Sequence, residues 1–427
     1  MMRAAYSLAL GLGIVFASPL LAARLAQGRY RKIALARLGL GRDWLPRPRP
    51  GGIWLHALSV GEVKSALPLL SALGRRFPQV PLALSVSTAQ GLAVAGEALA
   101  EKREVSLFVR PLDLPWAVRR LLDSLQPRLF CLVEGDIWPN WQWELGARKV
   151  PRLLVNGRVS PRTYRGYRRL GPLAKALWQG FDRVLVQTQV DYQRLASVGA
   201  PLERLAIGGN LKFDSAPALL SPERRLALAA QWGLAGRPAL IAGSTHPGEE
   251  EACLEAYAAL AVHDPELALI IAPREIGRGQ AVAQLAQARG LRAVRVSQGA
   301  TLAGNQVLVL DVLGRLAEAY ALARAAFVGG SLAPVGGHNL LEPAAQGVPT
   351  VFGPITHNFL EMARELEAAG GGVRIADGRE LAGAWGGLLN DPERAQTMGR
   401  AGLEFCRAHG GAVQRAVEEA AALMGEA

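Results

Sequence analysis

The sequence predicts an α/β protein of two doubly wound domains in series, each a parallel sheet covered by helices. Three observations predict it. Short apolar runs alternate with amphipathic stretches along most of the chain, the pattern of repeated βαβ units. That pattern pauses once, at the polar, Pro-containing stretch Lys212–Pro222, and then restarts. A chain of 427 residues also exceeds what a single hydrophobic core usually supports. Half of the chain is apolar (50%) and only 20% is charged, which excludes a disordered protein.

At the N-terminus, Ala4–Ala23 is apolar apart from Ser7 and Ser18. About twenty such residues can cross a bilayer as a helix. Gly11, Gly13 and Pro19 weaken a regular span, so a helix lying in the interface fits as well. Ala22-Ala23 resembles a signal-peptide cleavage site, but the basic start of the resulting chain opposes export. Arg24, Arg29, Arg31, Lys32, Arg37, Arg42, Arg47 and Arg49 follow, and the positive-inside rule places everything after Arg24 on the cytoplasmic side. Residues 1–24 thus read as a membrane anchor and 25–50 as a basic, Pro-rich linker ending in Pro46-Arg-Pro-Arg-Pro50.

The net charge of +12 suits either nucleic acid or an anionic membrane surface. No helix-turn-helix, zinc-finger or RRM pattern is present, so the membrane surface is the expected partner and nucleic acid is not. A second basic group, Arg158, Arg162, Arg165, Arg168 and Arg169, lies in the body. Cys131, Cys253 and Cys406 are far apart with no C-x-x-C pair, so they read as buried apolar residues, neither a disulfide framework nor a zinc site.

Strands buried on both faces are expected at Ile53–Ala57, Leu82–Val86, Leu129–Val133, Leu153–Asn156 and Val184–Gln187. Helical spacing falls between them at Val63–Arg76, Ala89–Ala100, Leu114–Leu125 and Trp138–Arg148. A second set of strands is expected at Leu240–Gly243, Leu267–Ala272, Leu291–Val296, Val307–Leu310, Ala326–Val328 and Thr350–Phe352. The first domain is placed at 51–213 and the second at 214–427, with the last helix a candidate to pack back on the first. Two such sheets face a cleft, and ligands in them sit at the carboxyl ends of strands.

The residues directly after each strand are therefore the candidates for chemistry. Glu62 follows the first strand at a helix start, after Gly61, where it suits either helix capping or catalysis. Glu134-Gly135-Asp136-Ile-Trp-Pro-Asn140 follows Leu129–Val133. Its carboxylates suit a cationic transition state or sugar hydroxyls, and Asp136 also suits capping ahead of Pro139. In the second half, Ser244-Thr245-His246 follows a strand and opens a helix, offering hydroxyls and amides to a phosphate without the Lys of a P-loop. Arg274 after Pro273 is placed to pair with phosphate.

The stretch Phe327–Pro343 runs from a strand through Gly329, Gly330, Gly336 and Gly337 into a helix expected near Asn339. That pattern presents free amides and a helix dipole to a nucleotide phosphate, with His338 organising the loop or touching the ligand. Glu342, one turn in, suits ribose hydroxyls.

Six segments occur in order across almost the whole chain: Ser59-Val-Gly-Glu62, Glu134–Asn140, Asn156-Gly-Arg158, Gly209-Asn-Leu-Lys-Phe-Asp214, Gly243-Ser-Thr-His246 and Gly329-Gly-Ser331 through Glu342-Pro343. Together they resemble the 3-deoxy-D-manno-octulosonic acid (Kdo) transferases of lipopolysaccharide synthesis. The resemblance implies a GT-B fold, an N-terminal anchor in the bacterial inner membrane, CMP-Kdo as donor and a phosphorylated lipid A precursor, lipid IVA, as acceptor. It implies inversion at the anomeric centre with no obligatory metal and no cofactor.

By the family pattern Glu62 is the general base, and Glu134 and Lys212 support the transition state. The same pattern brings the CMP moiety to Pro273, Arg274, the Leu313-Gly314-Arg315 segment and Asn339, Leu340, Leu341 and Glu342, and the strand-end and glycine-loop reading adds Ser244, Gly336, Gly337 and His338 as donor-binding candidates. Arg158 and Arg162 are the candidates for the acceptor's phosphates. A carboxylate at its ordinary pKa of roughly 4.3 is ionised at neutral pH and ready to accept a proton.

The chain departs from the family pattern at Gly135-Asp136, Glu275, Arg315 and Ile355, positions that bear on cytidine contact. A membrane-associated GT-B transferase or an epimerase using a UDP-sugar is the alternative. A non-catalytic scaffold leaves the carboxylates and the Arg at strand ends unexplained.

Overall fold

The computed structural model describes residues 2–16, 35–40, 50–100, 105–299, 301–303 and 306–426. The chain divides into two compact units, Met1–Asp214 with Gly410–Ala427, and Ser215–His409.

In the first unit, helix α1 (Met2–Phe16) precedes β1 (Ile53–Ala57), α2 (Val60–Arg76), β2 (Leu82–Val86), α3 (Ala89–Ala98), β3 (Val105–Val109), α4 (Pro115–Leu125) and β4 (Leu129–Val133). There follow α5 (Pro139–Ala147), β5 (Arg152–Gly157), α6 (Pro161–Leu170), α7 (Pro172–Trp178), β6 (Arg183–Val186), α8 (Gln189–Ser197) and β7 (Leu205–Ile207). The seven strands pair in the order β3-β2-β1-β4-β5-β6-β7, all parallel.

Alternation along each strand fills two cores. Ile53, Leu55 and Ala57 face one side with Leu129, Cys131 and Val133. Trp54 faces the other with Phe130 and Trp141, its ring centroid 4.5 Å from Phe130. The period of two also turns His56 onto this second face, where it is fully buried.

Helices start where the sequence supplies caps. The Thr88 hydroxyl accepts from the Gly91 amide at 3.1 Å, and Ser160 does the same for Thr163 at 3.1 Å. In a fully parallel sheet, every strand then releases its carboxyl end, and the residues after it, along one edge.

The second unit runs α9 (Pro222–Gln231), β8 (Ala239–Thr245), α10 (Glu249–Ala261), β9 (Ala268–Pro273), α11 (Gly279–Gln287), β10 (Arg292–Arg295), β11 (Gln306–Val309) and α12 (Leu316–Tyr320). It continues with β12 (Ala325–Val328), α13 (Leu341–Ala344), β13 (Thr350–Phe352), α14 (Leu360–Ala368), β14 (Gly372–Arg374), α15 (Leu381–Asn390) and α16 (Pro392–His409). Its parallel sheet has the order β10-β11-β9-β8-β12-β13-β14. The strand order reverses direction between β1 and β4 in one unit and between β8 and β12 in the other, the positions where such sheets open a crevice.

The last helix, α17 (Ala412–Met424), belongs to the first unit. Its stripe of Ala412, Ala416, Val417, Ala420 and Ala421 is buried in the β1 core, and Asp214 accepts hydrogen bonds from the Gly411 and Val413 amides at its start. Arg183 and Glu419 form an ion pair across it. Cys131, Cys253 and Cys406 are buried and unbridged.

Three strands absent from the expected set, β3, β7 and β14, lie at sheet edges. Each is short or half-exposed, so it lacks the continuous apolar run that marks a central strand.

The expected apolar span Ala4–Ala23 is described only as far as Phe16. At about 1.5 Å per residue, α1, with 15 residues, covers less than the roughly 30 Å of a hydrocarbon core. Among the described residues no helix is long and apolar enough to cross a membrane. Residues 17–34, and with them much of the basic linker, lie outside the described residues, as do 41–49. Within the first unit α1 packs on α5. Arg3 pairs with Glu144, the Ser7 hydroxyl donates to Asn140 at 3.1 Å, and Tyr6 meets Trp143 edge-on at 5.8 Å. Met2, Leu8 and Leu12 point outward.

Candidate active site

In the first unit, the strand-end edge carries a row of polar side chains. Across the sheet they are Arg110 after β3, Ser87 after β2, Ser59 and Glu62 after β1, Glu134 and Asp136 after β4, Asn156 near the end of β5 and Gln187 after β6.

Glu62 sits in the first turn of α2. The Ser59 hydroxyl accepts from the Glu62 amide at 3.4 Å, and the Glu62 carboxylate reaches back to accept from the Leu58 amide at 2.6 Å. The capping role is therefore real, and the Leu58 amide holds the carboxylate back against the loop after β1. Only 7% of the residue is exposed. Burial pushes its pKa up to about 8, the Leu58 hydrogen bond opposes this, and the charges of Glu134 and Asp136 push it further up. The expected value near 4.3 is thus corrected. A carboxyl so placed keeps its proton to higher pH than an exposed glutamate and, once ionised, is the stronger base.

Asp136 is not a helix cap. The residue at the N-cap of α5 is Trp138, with no side-chain hydrogen bond, and the α5 amides of Asn140 and Trp141 are taken by Asp113 at 2.9 and 3.1 Å. Asp136 instead accepts from His56 Nε2 at 3.2 Å and lies 3.8 Å from Arg110. Burial alone would raise its pKa, but the His56 hydrogen bond and the Arg110 charge outweigh that and hold it below the ordinary carboxylate value.

Burial drives the pKa of His56 down, which favours a neutral ring with Nε2–H donating to Asp136. Its Nδ1 lies 2.8 Å from the Ser85 hydroxyl and 3.1 Å from the Ser85 carbonyl. Arg110 donates from Nε to the Ser87 hydroxyl at 2.7 Å and lies 4.4 Å over the Trp138 ring. The sequence pattern does not mark His56, Arg110 or Asp113. Arg110 follows β3, an edge strand without a continuous apolar run, and the face of His56 depends on strand pairing.

Glu134 and Asn156 both adopt left-handed backbone, with φ of 67° and 58°. Glu134 lies near enough to Glu62 for its charge to be felt there. Arg158 and Arg162 are exposed, one after β5 and the other in the first turn of α6. Lys212 is half-buried in a short 3-10 turn, Leu211–Ser215, near the end of the first unit's long segment.

In the second unit, β8 and β9 lose register between Gly243 and Thr245, and Ser244 takes a φ of 55° at that irregularity. His246 and Glu249 follow. The Glu249 carboxylate, 1% exposed, accepts five backbone N–H groups: Gly330 at 2.7 Å, Ser331 at 3.0 Å, Leu332 at 2.8 Å, Ala333 at 3.2 Å and His246 at 3.0 Å.

This corrects the expectation of free amides in the glycine loop. An internal carboxylate already fills the concavity that 330–333 create. The Gly336 and Gly337 amides are also used, both donating to the Gly330 carbonyl at 3.1 and 2.6 Å. The helix expected near Asn339 is the four-residue α13, too short to project a substantial dipole.

The loop instead aligns two imidazoles. His246 Nε2 and His338 Nε2 are 2.8 Å apart with nearly parallel rings, 5° between planes. Only one hydrogen fits between two nitrogens at that distance, so one ring donates to the other.

Arg274 leaves β9 with its amide on the Thr245 carbonyl at 2.9 Å, directly after the buried Pro273. The Asn339 side chain accepts from the Leu341 amide at 3.2 Å and stands close enough to Glu342 to act on its carboxyl. Burial raises the pKa of Glu342, while its two neighbours draw it back. Asn339 and the charge of Arg274 thus both act on the Glu342 carboxyl. Leu340 and Leu341 are buried and serve the interior. Of the remaining candidates, Leu313 is exposed and Gly314 has a φ of 75°. Arg315 pairs with Glu318 at 3.2 Å and lies 5.3 Å over the Trp232 ring. Among the described residues no group of three or more His, Cys, Asp or Glu is arranged to hold a metal.

Residues 31–215 match the sequence family described as 3-deoxy-D-manno-octulosonic-acid transferase (kdotransferase). A 3-deoxy-D-manno-octulosonic acid transferase of Bordetella pertussis is 37% identical over 93% of this chain and 93% of its own length. One from Haemophilus influenzae is 33% identical over 91% of each. Among solved structures, UDP-GlcNAc 2-epimerase from Neisseria meningitidis bound to UDP-GlcNAc aligns with 88% of this chain and 100% of its own. Its TM-score is 0.52 at 12% identity, a likeness of fold alone. With relatives matched nearly end to end at this identity, and the carboxylates and the glycine loop standing at strand ends, the chain belongs to the 3-deoxy-D-manno-octulosonic acid transferase family.

Proposed function

We propose that the protein is an inverting glycosyltransferase that moves Kdo from CMP-Kdo to lipid IVA at the cytoplasmic face of the bacterial inner membrane. The observation that carries the reading is Glu62, a carboxyl at a strand end whose pKa of about 8 suits it to remove a proton from a sugar hydroxyl near neutral pH. Family membership supports the donor and the acceptor class.

In the transfer, the acceptor hydroxyl oxygen bonds to the Kdo anomeric carbon as the bond from that carbon to the CMP phosphate breaks. The hydroxyl proton passes to Glu62 and CMP departs with its phosphate charge. Glu134 and Lys212 act on the charge developing at the sugar. In the donor half, Arg274 and the His246–His338 pair are suited to the phosphate, and Asn339 with Glu342 to the nucleoside. Ser244, at the strand irregularity, supplies a hydroxyl on the same edge. No step needs a metal.

Incubating the purified protein with CMP-Kdo and lipid IVA should yield Kdo-bearing lipid by mass spectrometry, with CMP competing better than UDP. Absence of product, or preferential competition by UDP, would reject the donor assignment.

Attachment at the membrane is the second part of the proposal. Exposed Met2, Leu8 and Leu12 on α1 suit an apolar contact, and α6 bears Arg162, Arg165, Arg168 and Arg169 with no buried residue. Arg158 and Arg162 are assigned to the acceptor's phosphates. Binding of lipid IVA should therefore weaken several-fold as ionic strength rises from about 0.05 to about 0.5 M. The dependence should flatten in Arg158→Gln/Arg162→Gln. A salt slope identical in variant and parent would discard these two residues.

A further inference from the structure

We propose that Asn156 is a positioning residue for the transfer: one end of its side-chain amide holds the Glu134 carboxylate, and the other holds the backbone of the segment carrying Lys212. The inference rests on the reading of Glu134 and Lys212 as groups at the reacting centre.

Asn156 is 2% exposed in β5. Its Nδ2 donates to Glu134 Oε1 at 3.3 Å, and its Oδ1 accepts from the Leu211 amide at 3.0 Å. A second path runs beside the first. The Asn156 carbonyl accepts from Gln187 Nε2 at 3.1 Å, Gln187 Oε1 accepts from Asn210 Nδ2 at 3.3 Å, and Asn210 Oδ1 accepts from the Lys212 amide at 3.0 Å. Three side-chain amides thus tie the loop after β4 to the turn that bears Lys212, within the first unit.

The partners determine which way the Asn156 amide points. A carboxylate presents only acceptors and a backbone amide only a donor, so nitrogen must face Glu134 and oxygen must face Leu211. Of the common side chains of this size, only asparagine offers both ends. Aspartate would set two carboxylates against each other, and leucine would satisfy neither partner.

The left-handed φ of 58° at Asn156 would be met at least as well by glycine, which tells against a purely conformational reason for the residue. Glu134 shares the left-handed conformation, and the hydrogen bond therefore joins two residues whose backbone directions are unusual. Held this way, Glu134 stays where its charge reaches Glu62.

The test compares Asn156→Asp, Asn156→Gly, Glu134→Gln and Asn156→Asp/Glu134→Gln for kcat, for KM toward CMP-Kdo, and for melting temperature. Asn156→Asp keeps shape and the Leu211 acceptor but loses the donor to Glu134. Its kcat should fall by about ten- to a hundredfold, the scale set by small misplacements of reacting groups. KM for CMP-Kdo should stay within about threefold, because the donor-binding candidates lie in the other unit. Asn156→Gly keeps the backbone and loses both contacts, so its kcat should fall at least as far.

The double variant restores an amide–carboxylate pair with the ends exchanged. It should recover the melting temperature of Asn156→Asp toward the parent without recovering kcat. Parental kcat in folded Asn156→Asp, with Glu134→Gln impaired, overturns the positioning role alone. Parental kcat in Glu134→Gln overturns both the role of Glu134 and the inference built on it. Recovery of kcat together with stability in the double variant overturns the inference in favour of a structural contact.

Discussion

Replacing Glu62 with Gln should lower kcat by about a hundredfold or more, the span general-base catalysis typically supplies, with the fold intact. Gln is suited to the local contacts. Its side-chain oxygen still accepts from the Leu58 amide, and the Ser59 hydroxyl still caps the Glu62 position, so α2 should start where it does now. What Gln removes is proton acceptance.

The pH profile supplies a second reading of the same variant. A group with a raised pKa must lose its proton before it can serve as base. For the parent, kcat/KM should therefore rise with pH through about 8, the value to which burial and the neighbouring carboxylates push Glu62. The variant should lack that limb. Turnover within threefold of the parent in folded Glu62→Gln would remove this residue from the mechanism. A parental profile already flat above pH 6 would show that its proton is lost far earlier than its burial implies.

Glu249 carries the second large effect, on stability and donor binding together. Its buried carboxylate accepts five backbone N–H groups, three at Oε1 from Ser331, Leu332 and Ala333 and two at Oε2 from Gly330 and His246. Glu249→Ala leaves all of them facing a cavity. Each buried amide without a partner costs about 1–3 kcal/mol, and partial relaxation reduces the sum, so a loss above about 3 kcal/mol is expected.

CMP binding should fail in the same variant even under conditions where it remains folded, because the loop that Glu249 gathers also carries His338, which meets His246. Glu249→Gln keeps one oxygen and should fall between the two. Denaturant midpoints and calorimetry with CMP measure these effects. A change below about 0.5 kcal/mol with CMP affinity unchanged would mean that the loop holds its form without the carboxylate.

These two residues differ in how visible they were in the sequence. The position of Glu62 could be read directly, since a central strand of continuous apolar residues announces itself and its end follows from its length. The same logic located Glu134, Asp136, Ser244 and Arg274. It failed at Arg110, because an edge strand with partly exposed residues does not carry the pattern. Composition marks the glycine loop but does not show which acceptor its amides meet. Nothing local indicates that a glutamate roughly eighty positions earlier reaches into it.

The alternation of apolar runs and amphipathic stretches suffices for two parallel sheets, because burial on both faces demands such runs and crossover helices must separate them. Strand-end position likewise suffices for most of the candidate residues. Chemical state required the folded protein. Glu62 is a strong base because its surroundings exclude water and gather like charges, Asp136 stays ionised because His56 and Arg110 meet it, and the phosphate nest is closed because Glu249 fills it. Desolvation and hydrogen bonding between distant segments arise only when those segments are packed together, and neither has a signature in the order of residues along the chain.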